Sequence, residues 1–368
     1  MEITMKKSIS YSLIIGVLAI TSAMFSSCEK VSPQGVLMGN TSVDDRVKQS
    51  LVNYSAFEVA WDKELPDTVT EYSFLVGSDS HITIDPGRLE EMLDISIEYG
   101  DLFCCHLGDL ADTKAEYYYN TEQAILNATK EWQDKYLEPF FDDHGDIITD
   151  TVLWTDPRTG NIYRKNDTSI LPFYLPFYPV VGNHDITHNG WALFSRIFKT
   201  SFYEFTVKVG DKYDRFIFLD SANGTLGNFQ IEQIEDGVFQ RDKKDIRNTF
   251  VFTHTNIFRP SYTEFASTYC REELYYLLDK LADWKTTIMF CGHVHAWDDR
   301  MFGGVRHITM PSMNFVDHPN GGDDLIVRVT VKGDHECDVQ PVGLYCKERS
   351  KEELNQLGYK TTTNSNDY

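Results

Sequence analysis

The chain is short of basic charge. Its 368 residues carry 34 Lys and Arg against 56 Asp and Glu, a formal net charge of −22. Broad nucleic-acid binding needs a cationic surface that displaces counterions, so the charge argues against that class of partner. A phosphate-bearing substrate is not excluded, because bound metal reverses the sign of a site locally. The seven cysteines contain no Cys-x-x-Cys pair, which removes zinc-finger and thioredoxin-type sites. Neither a glycine-rich dinucleotide fingerprint nor a P-loop is present, and no internal repeat is visible. Beyond residue 27 no apolar run is long enough to span a bilayer.

What is present is a globular composition with an unusual N-terminus. Hydrophobic residues make up 42% and charged residues 24%, enough for a sizeable core. Lys6 and Lys7 precede an apolar stretch from Ile9 to Phe25 that closes on Ser26-Ser27-Cys28. This order fits an export signal over residues 1–27. Its Phe-Ser-Ser-Cys ending resembles the lipobox of bacterial lipoproteins. That resemblance implies lipidation of Cys28 and an exported chain anchored in the membrane of the bacterial cell envelope. A plain signal peptide or a short membrane anchor are the alternatives. Residues 28–42 are polar, with Pro33, Gly35 and Gly39, and read as a tether. An exported chain can form disulfides, and Cys337 and Cys346 flank a segment that one could close. Cys104, Cys105 and Cys291 sit in apolar runs and read as buried thiols.

Five short apolar runs each end in a cluster of metal-type donors. Tyr72–Gly77 leads to Asp79-Ser80-His81. Leu102–Leu107 leads to Gly108-Asp109-Leu110-Ala111-Asp112. Phe177–Val181 leads to Gly182-Asn183-His184-Asp185. Phe250–Thr253 leads to His254, and Thr287–Cys291 to Gly292-His293-Val294-His295. Runs of this length and composition predict buried strands. Donors just past strand ends gather on one edge of a sheet, where open α/β folds build their sites. Asp85-Pro86 starts a helix that stops at Gly100, so the first two runs form a β-α-β unit with parallel strands. Residues 113–172 form an insertion with a helix marked by Tyr118, Ile125, Thr129, Trp132 and Tyr136. A hairpin over 151–165 follows. The insertion's aromatics, Tyr117-Tyr118-Tyr119 and Phe173-Tyr174, either face a substrate or pack the insertion. Tyr203–Val209 and Arg215–Asp220 form an antiparallel pair. Leu274, Leu277, Leu278 and Leu281 mark the inner face of a helix over 271–284. One domain therefore spans 43–346, and the polar residues 347–368 form a tail, disordered from 357 onward.

Hard and borderline divalent ions take Asp oxygen and His nitrogen. Asp79, His81, Asp109, Asn183, His254, His293 and His295 supply seven such donors, enough for two ions sharing one carboxylate. Asp-x-His, Gly-Asp-x-x-Asp, Gly-Asn-His-Asp, a lone His and Gly-His-x-His, in that order over about residues 72–310, resemble the calcineurin-like metallophosphoesterases. The resemblance implies an α/β fold, a two-sheet sandwich flanked by helices in α/β/β/α layers. It implies a phosphoester substrate and two divalent ions, with Asp79, His81, Asp109 and His295 on the first. Asp109, Asn183, His254 and His293 would hold the second. It further implies a metal-bridging hydroxide as nucleophile and His184 as general acid, with Asp112 orienting its imidazole. Position 112 is Asp where purple acid phosphatases carry an iron-binding tyrosine, so the expected metals are Mn, Zn or Fe(II). Thr113-Lys114 replaces the Arg-Gly of the protein-phosphatase branch. The motifs leave monoester and diester both open. A non-catalytic exported lipoprotein that binds a ligand or partner is the rival reading. His188, Arg259 and Asn256 are weaker candidates for phosphate contact.

Overall fold

The computed structural model describes residues 41–112, 114–139, 153–164, 175–239, 245–258, 269–314, 324–347 and 349–361. The export signal, Cys28, most of the tether, Arg259 and the Phe173-Tyr174 pair lie outside the described residues. Among the described residues, no helix is long and apolar enough to cross a membrane.

Helix α1 (Val43–Trp61) starts at Ser42, whose hydroxyl accepts from the Asp45 amide. Strand β1 (Lys63–Glu64) precedes the first core strand, β2 (Tyr72–Gly77). Helix α2 (Gly87–Tyr99) closes at Gly100, which takes the left-handed conformation that a helix C-terminus favours (φ 78°). Strand β3 (Cys104–His106) then pairs with β2 in parallel, completing the expected β-α-β unit. The insertion opens with α3 (Ala115–Tyr136). It continues as a small antiparallel sheet of β4 (Glu138–Pro139), β5 (Leu153–Thr155) and β6 (Ile162–Arg164). Strand β7 (Phe177–Pro179) returns to lie parallel to β3. After α4 (Gly190–Phe198), strands β8 (Tyr203–Val209) and β9 (Lys212–Phe218) pair antiparallel. Helix α5 (Asn228–Glu235), strand β10 (Ile246–Phe252), helix α6 (Arg271–Asp283) and strand β11 (Ile288–Cys291) follow. The chain closes with β12 (Asp298–Phe302), β13 (Val305–Thr309), β14 (Leu325–Gly333), β15 (Glu336–Gly343) and α7 (Lys351–Gln356).

Two sheets result. One has the order β1-β8-β9-β10-β11-β13-β12, the other β15-β14-β2-β3-β7. Strand alternation explains how they stack, since successive side chains leave a strand on opposite faces. On β2, Phe74 and Val76 point inward between the sheets while Leu75 faces outward. On β10, Phe250 and Phe252 point inward and Val251 outward. Rings from both sheets interlock in the middle layer. Phe216 and Phe250 stack at 4.9 Å, and Phe74 from the other sheet meets Phe216 edge-on at 5.3 Å. The outer face of the β2 sheet packs on α2, α3 and α4 through Leu93, Trp132 and Phe194. The outer face of the β10 sheet packs on α6 through Leu277 and Leu281. The layers are α/β/β/α. Cys104 and Cys105 point to opposite faces of β3, each buried in a different core, and both are free thiols.

Two expectations need correction. Cys337 and Cys346 are separate thiols, not a disulfide. The polar end is also built in further than its composition suggests. Helix α7 carries a capping box between Ser350 and Glu353, and Leu354, Tyr359 and Thr361 are buried. Asn120 of α3 clasps Lys360, accepting from its amide at 2.8 Å and donating to its carbonyl at 3.0 Å. A few anchors suffice where the rest of a segment is polar.

Candidate metal centre

Strands β2, β3 and β7 run parallel in one sheet, and β10 and β11 run parallel in the other. Their C-terminal ends therefore release five loops, and the donors of all five meet. Asp79, His81 and His295 form one group of possible metal ligands, and Asp109, His254 and His293 another. The His81 and His295 Nε2 atoms are 3.0 Å apart, and His295 Nε2 lies 3.3 Å from Asp79 Oδ1. On the other side, His254 Nε2 lies 2.9 Å from Asn183 Oδ1, 3.2 Å from His293 Nδ1 and 3.4 Å from Asp109 Oδ2. The same Asp109 oxygen is 3.9 Å from His81 Nε2, so one carboxylate stands between the two groups.

The donor set fits cations. His254 Nδ1 is 2.8 Å from the Leu107 carbonyl, which can only accept, so the proton sits on Nδ1. Once the ring gives up its Nε2 proton, Nε2 offers a lone pair toward the oxygens of Asn183 and Asp109, which offer lone pairs of their own. Facing acceptors need a positive charge between them. Two nitrogens held by one ion at about 2.1 Å stand about 3.0–3.4 Å apart, the spacing seen here.

The electrostatics point the same way. Burial pushes the Asp79 carboxyl up, but His295 and His254 outweigh it and hold the group well below the usual carboxylate range. Asp109 is likewise raised by burial and brought far down by His254 and His81. In return, His254 loses from burial, gains more from Asp109, and ends near 9. His293 is driven the other way, to about 4, by burial and by the neighbouring His254. The carboxylates thus recruit positive charge, in this case protons, into a partly buried site.

Beside these groups, His184 Nδ1 lies 3.2 Å from Asp112 Oδ1, and the hydrogen bond lifts the imidazole to about 9. Asp112 also approaches His81 Nδ1 at 3.5 Å. Unlike the other histidines of the cluster, His184 is about half exposed, so a substrate can reach it.

Backbone conformation carries a signal that composition could not. Asp79, His81, Asp109, His293 and His295 all have positive φ, between 41° and 73°. Non-glycine residues in this region cost about 1–3 kcal/mol each and persist where the surroundings over-determine them. Cross-loop hydrogen bonds do so here. Asp79 N donates to Gly108 O at 3.1 Å, His81 N to Asp109 O at 3.0 Å, and His184 N to Asp109 Oδ1 at 2.7 Å. Gly182 has to be glycine, because a Cβ there would land on the Asp109 amide and carboxylate.

A supporting shell surrounds the donors. Asp185 accepts from Gly182 N at 2.8 Å, Leu110 N at 3.1 Å and Tyr118 Oη at 2.6 Å, tying the second and third loops together. Ser221 Oγ accepts from the His254 amide at 3.1 Å, and Ser312 Oγ donates to the Asp79 carbonyl at 2.6 Å. Ser221 and Ser312 have no sequence signal, since a lone serine between motifs looks like any other. Tyr117 and Tyr118 are buried and do not face a substrate. Asn256 is buried and donates to the Phe258 carbonyl at 2.8 Å, while His188 is exposed on the 3₁₀ segment His184–Asn189.

No family model matches this chain, and no curated protein matches it. Solved structures do. A dimetal phosphatase from Danio rerio is 11% identical at a TM-score of 0.42, covering 74% of this chain and 98% of its own. GAP50, the anchor in the inner membrane complex of Plasmodium, is 14% identical at 0.41, covering 79% and 94%. A Streptococcus pneumoniae protein described as a predicted phosphoesterase is 12% identical at 0.32, covering 75% and 91%. Overlaps this loose leave the chemistry of the chain to its own geometry.

Proposed function

We propose that this chain is a metal-dependent phosphoesterase of the calcineurin-like type, holding two divalent ions. The observation that carries the reading is the position of Asp109, one carboxylate standing between two groups of donors, with the His184–Asp112 pair at their edge. Asp79, His81, Asp109 and His295 hold one ion, and Asp109, Asn183, His254 and His293 the other. Bound there, Mn, Zn or Fe(II) would supply an activated water and neutralise the phosphoryl oxygens. The protein's own residues do the rest. The Leu107 carbonyl fixes the His254 tautomer so that Nε2 keeps its lone pair. The Asp185 clasp holds the loops of Asp109 and Asn183 in register. Asp112 accepts a hydrogen bond from Nδ1–H of His184 and stabilises the imidazolium, whose Nε2 proton goes to the leaving oxygen. An exposed, carboxylate-paired histidine is what a leaving group requires and what a pure binding module does not. The lipobox-like ending at Cys28 supports placing the enzyme on the outside of a membrane, held by a lipid.

The test is hydrolysis of a generic phosphomonoester and a generic phosphodiester by the full chain with Mn, Zn or Fe(II) added in turn. His184→Ala and Asp109→Asn run beside it. Metal-dependent turnover lost in both variants is expected. Two ions bound per chain with no turnover on either ester would instead favour a ligand-binding lipoprotein.

A further inference from the structure

A cavity of about 290 Å³ opens directly off His81. It is lined by the loop from Ser80 to Arg88 and, from the C-terminal end of the chain, by Cys346, Lys347, Arg349, Lys351 and Leu354. Among the described residues, four cationic side chains line it, Arg88, Lys347, Arg349 and Lys351, against a single carboxylate, Asp85; Lys347 and Arg349 also border a neighbouring acidic cavity. In a chain with 22 more acidic than basic residues, such a local excess of cations is out of character.

The four cations divide into two kinds. Arg349 is engaged, with Nε 3.0 Å from Asp85 Oδ1 and Nη2 2.5 Å from Glu90 Oε2. Arg88 is held by Asp324 at 2.8 Å. These arginines fix the walls. Lys347 and Lys351 are exposed, and among the described residues neither forms an ion pair. The segment that carries them is anchored on both sides. Tyr345 N donates to Glu91 at 2.8 Å, and α7 is capped by Ser350 and seated by Leu354. Two exposed ammonium groups on an anchored segment thus line the same cavity as His81, a residue of the expected reaction centre.

We propose that this cavity receives the leaving-group side of the substrate, and that the substrate is a phosphoester whose alcohol carries a second anionic group, met by Lys347 and Lys351. The inference rests on the phosphoesterase reading above. A phosphoryl group at the donor cluster would direct its alcohol oxygen toward exposed His184, and His184 and His81 rings are in edge contact at 4.6 Å. The remainder of the alcohol then has the His81 cavity beside it. Exposed lysines recognise an anion as point charges, with selectivity that weakens as salt rises.

The experiment compares glycerol 3-phosphate with 3-phosphoglycerate, which differ by one carboxylate in the alcohol. Binding to the metal-loaded full chain is measured by calorimetry at low salt, and turnover is measured in parallel. The wild type should bind 3-phosphoglycerate more tightly. Lys347→Ala with Lys351→Ala should abolish that preference, each lysine contributing roughly 2- to 5-fold. Affinity for glycerol 3-phosphate and kcat on 4-nitrophenyl phosphate should stay within about twofold. Charge reversal, Lys347→Glu with Lys351→Glu, should turn the preference against the carboxylate. Equal affinity for the two ligands in the wild type, or a preference that survives both double variants, overturns the proposal. Lysine-dependent preference without any turnover would uphold the cavity and sink the phosphoesterase reading instead.

Discussion

His81 faces two neighbourhoods built in opposite ways. On one side is a tight cluster of donors, buried or nearly so and held in strained backbone. On the other is an open cavity lined by residues 80–88 and by Cys346, Lys347, Arg349, Lys351 and Leu354, with Lys347 and Lys351 exposed. The cluster is assembled from short local motifs at strand ends. The cavity is assembled from segments more than 250 residues apart, which meet where Tyr345 and Arg349 bond to Glu91, Asp85 and Glu90. Chemistry is therefore written locally in this chain, and the selection of a substrate is written across it.

The most damaging way to break the first neighbourhood is to remove the shared carboxylate. Asp109→Ala takes a donor from both groups at once. Metal content should fall from two ions toward none, and activity should drop by more than the about 10- to 100-fold that outer-sphere changes cost. Elemental analysis beside kcat checks this, and an unchanged metal content would refute the sharing. His184→Ala separates chemistry from binding. Turnover should fall by about 10²–10⁴-fold, the usual worth of a general acid, while both ions stay bound. An ester with a good leaving group needs no proton, so the loss should shrink on such a substrate. If it does not shrink, His184 has some other task.

Tyr118→Phe probes the layer behind the ions. It deletes the hydroxyl that donates to Asp185 and leaves every donor in place. Metal affinity should weaken by about 10-fold, measured by competition with a chelator, since supporting hydrogen bonds are worth about 10- to 100-fold. Rescue of the affinity by excess metal, with kcat restored, would mark Tyr118 as a positioning residue.

The legibility of the sequence follows the same division. Strands β2, β3, β7, β10 and β11 are readable because each is an apolar run that stops at a polar cluster, and period-two burial carries the run into a core. The donors are readable because loops at strand ends have only one edge to occupy. Strand β15 is not readable: Glu336–Gly343 contains Pro341, none of its residues is buried, and it survives as an edge strand paired only to β14. Helix α7 is hidden for a related reason, being six residues long with one buried anchor, Leu354. The folding of the last segment depends on Asn120, Glu91 and Asp85, none adjacent in sequence. The positive φ values of the donors are equally invisible, since nothing in Asp or His announces them.

The smallest effect concerns a control for the cation-lined cavity. On the far side of Arg349 lies a second cavity, of about 610 Å³, whose acidic lining includes Glu90, Glu91, Asp94 and Glu131. Burial, followed by Glu131, Glu90 and Glu91, raises the Asp94 carboxyl from 3.8 to about 6. A folded-state value above the unfolded one means that the folded chain holds this proton more tightly. The stabilisation from that proton is complete below about pH 4 and is lost as pH rises through about 6. Above that the carboxylate is a liability that Asp94→Asn removes. Because Asp94 is exposed, solvent screening limits the gain to a few tenths of a kcal/mol. Thermal unfolding should show the variant slightly more stable than the wild type at pH 8 and equal to it at pH 4. Substrate preference should move little at either pH, because Asp94 lines only the second cavity, although Lys347 and Arg349 line both. A shift in preference would mean that the two cavities communicate through Arg349, and that the charge balance at Lys347 and Lys351 is set from behind.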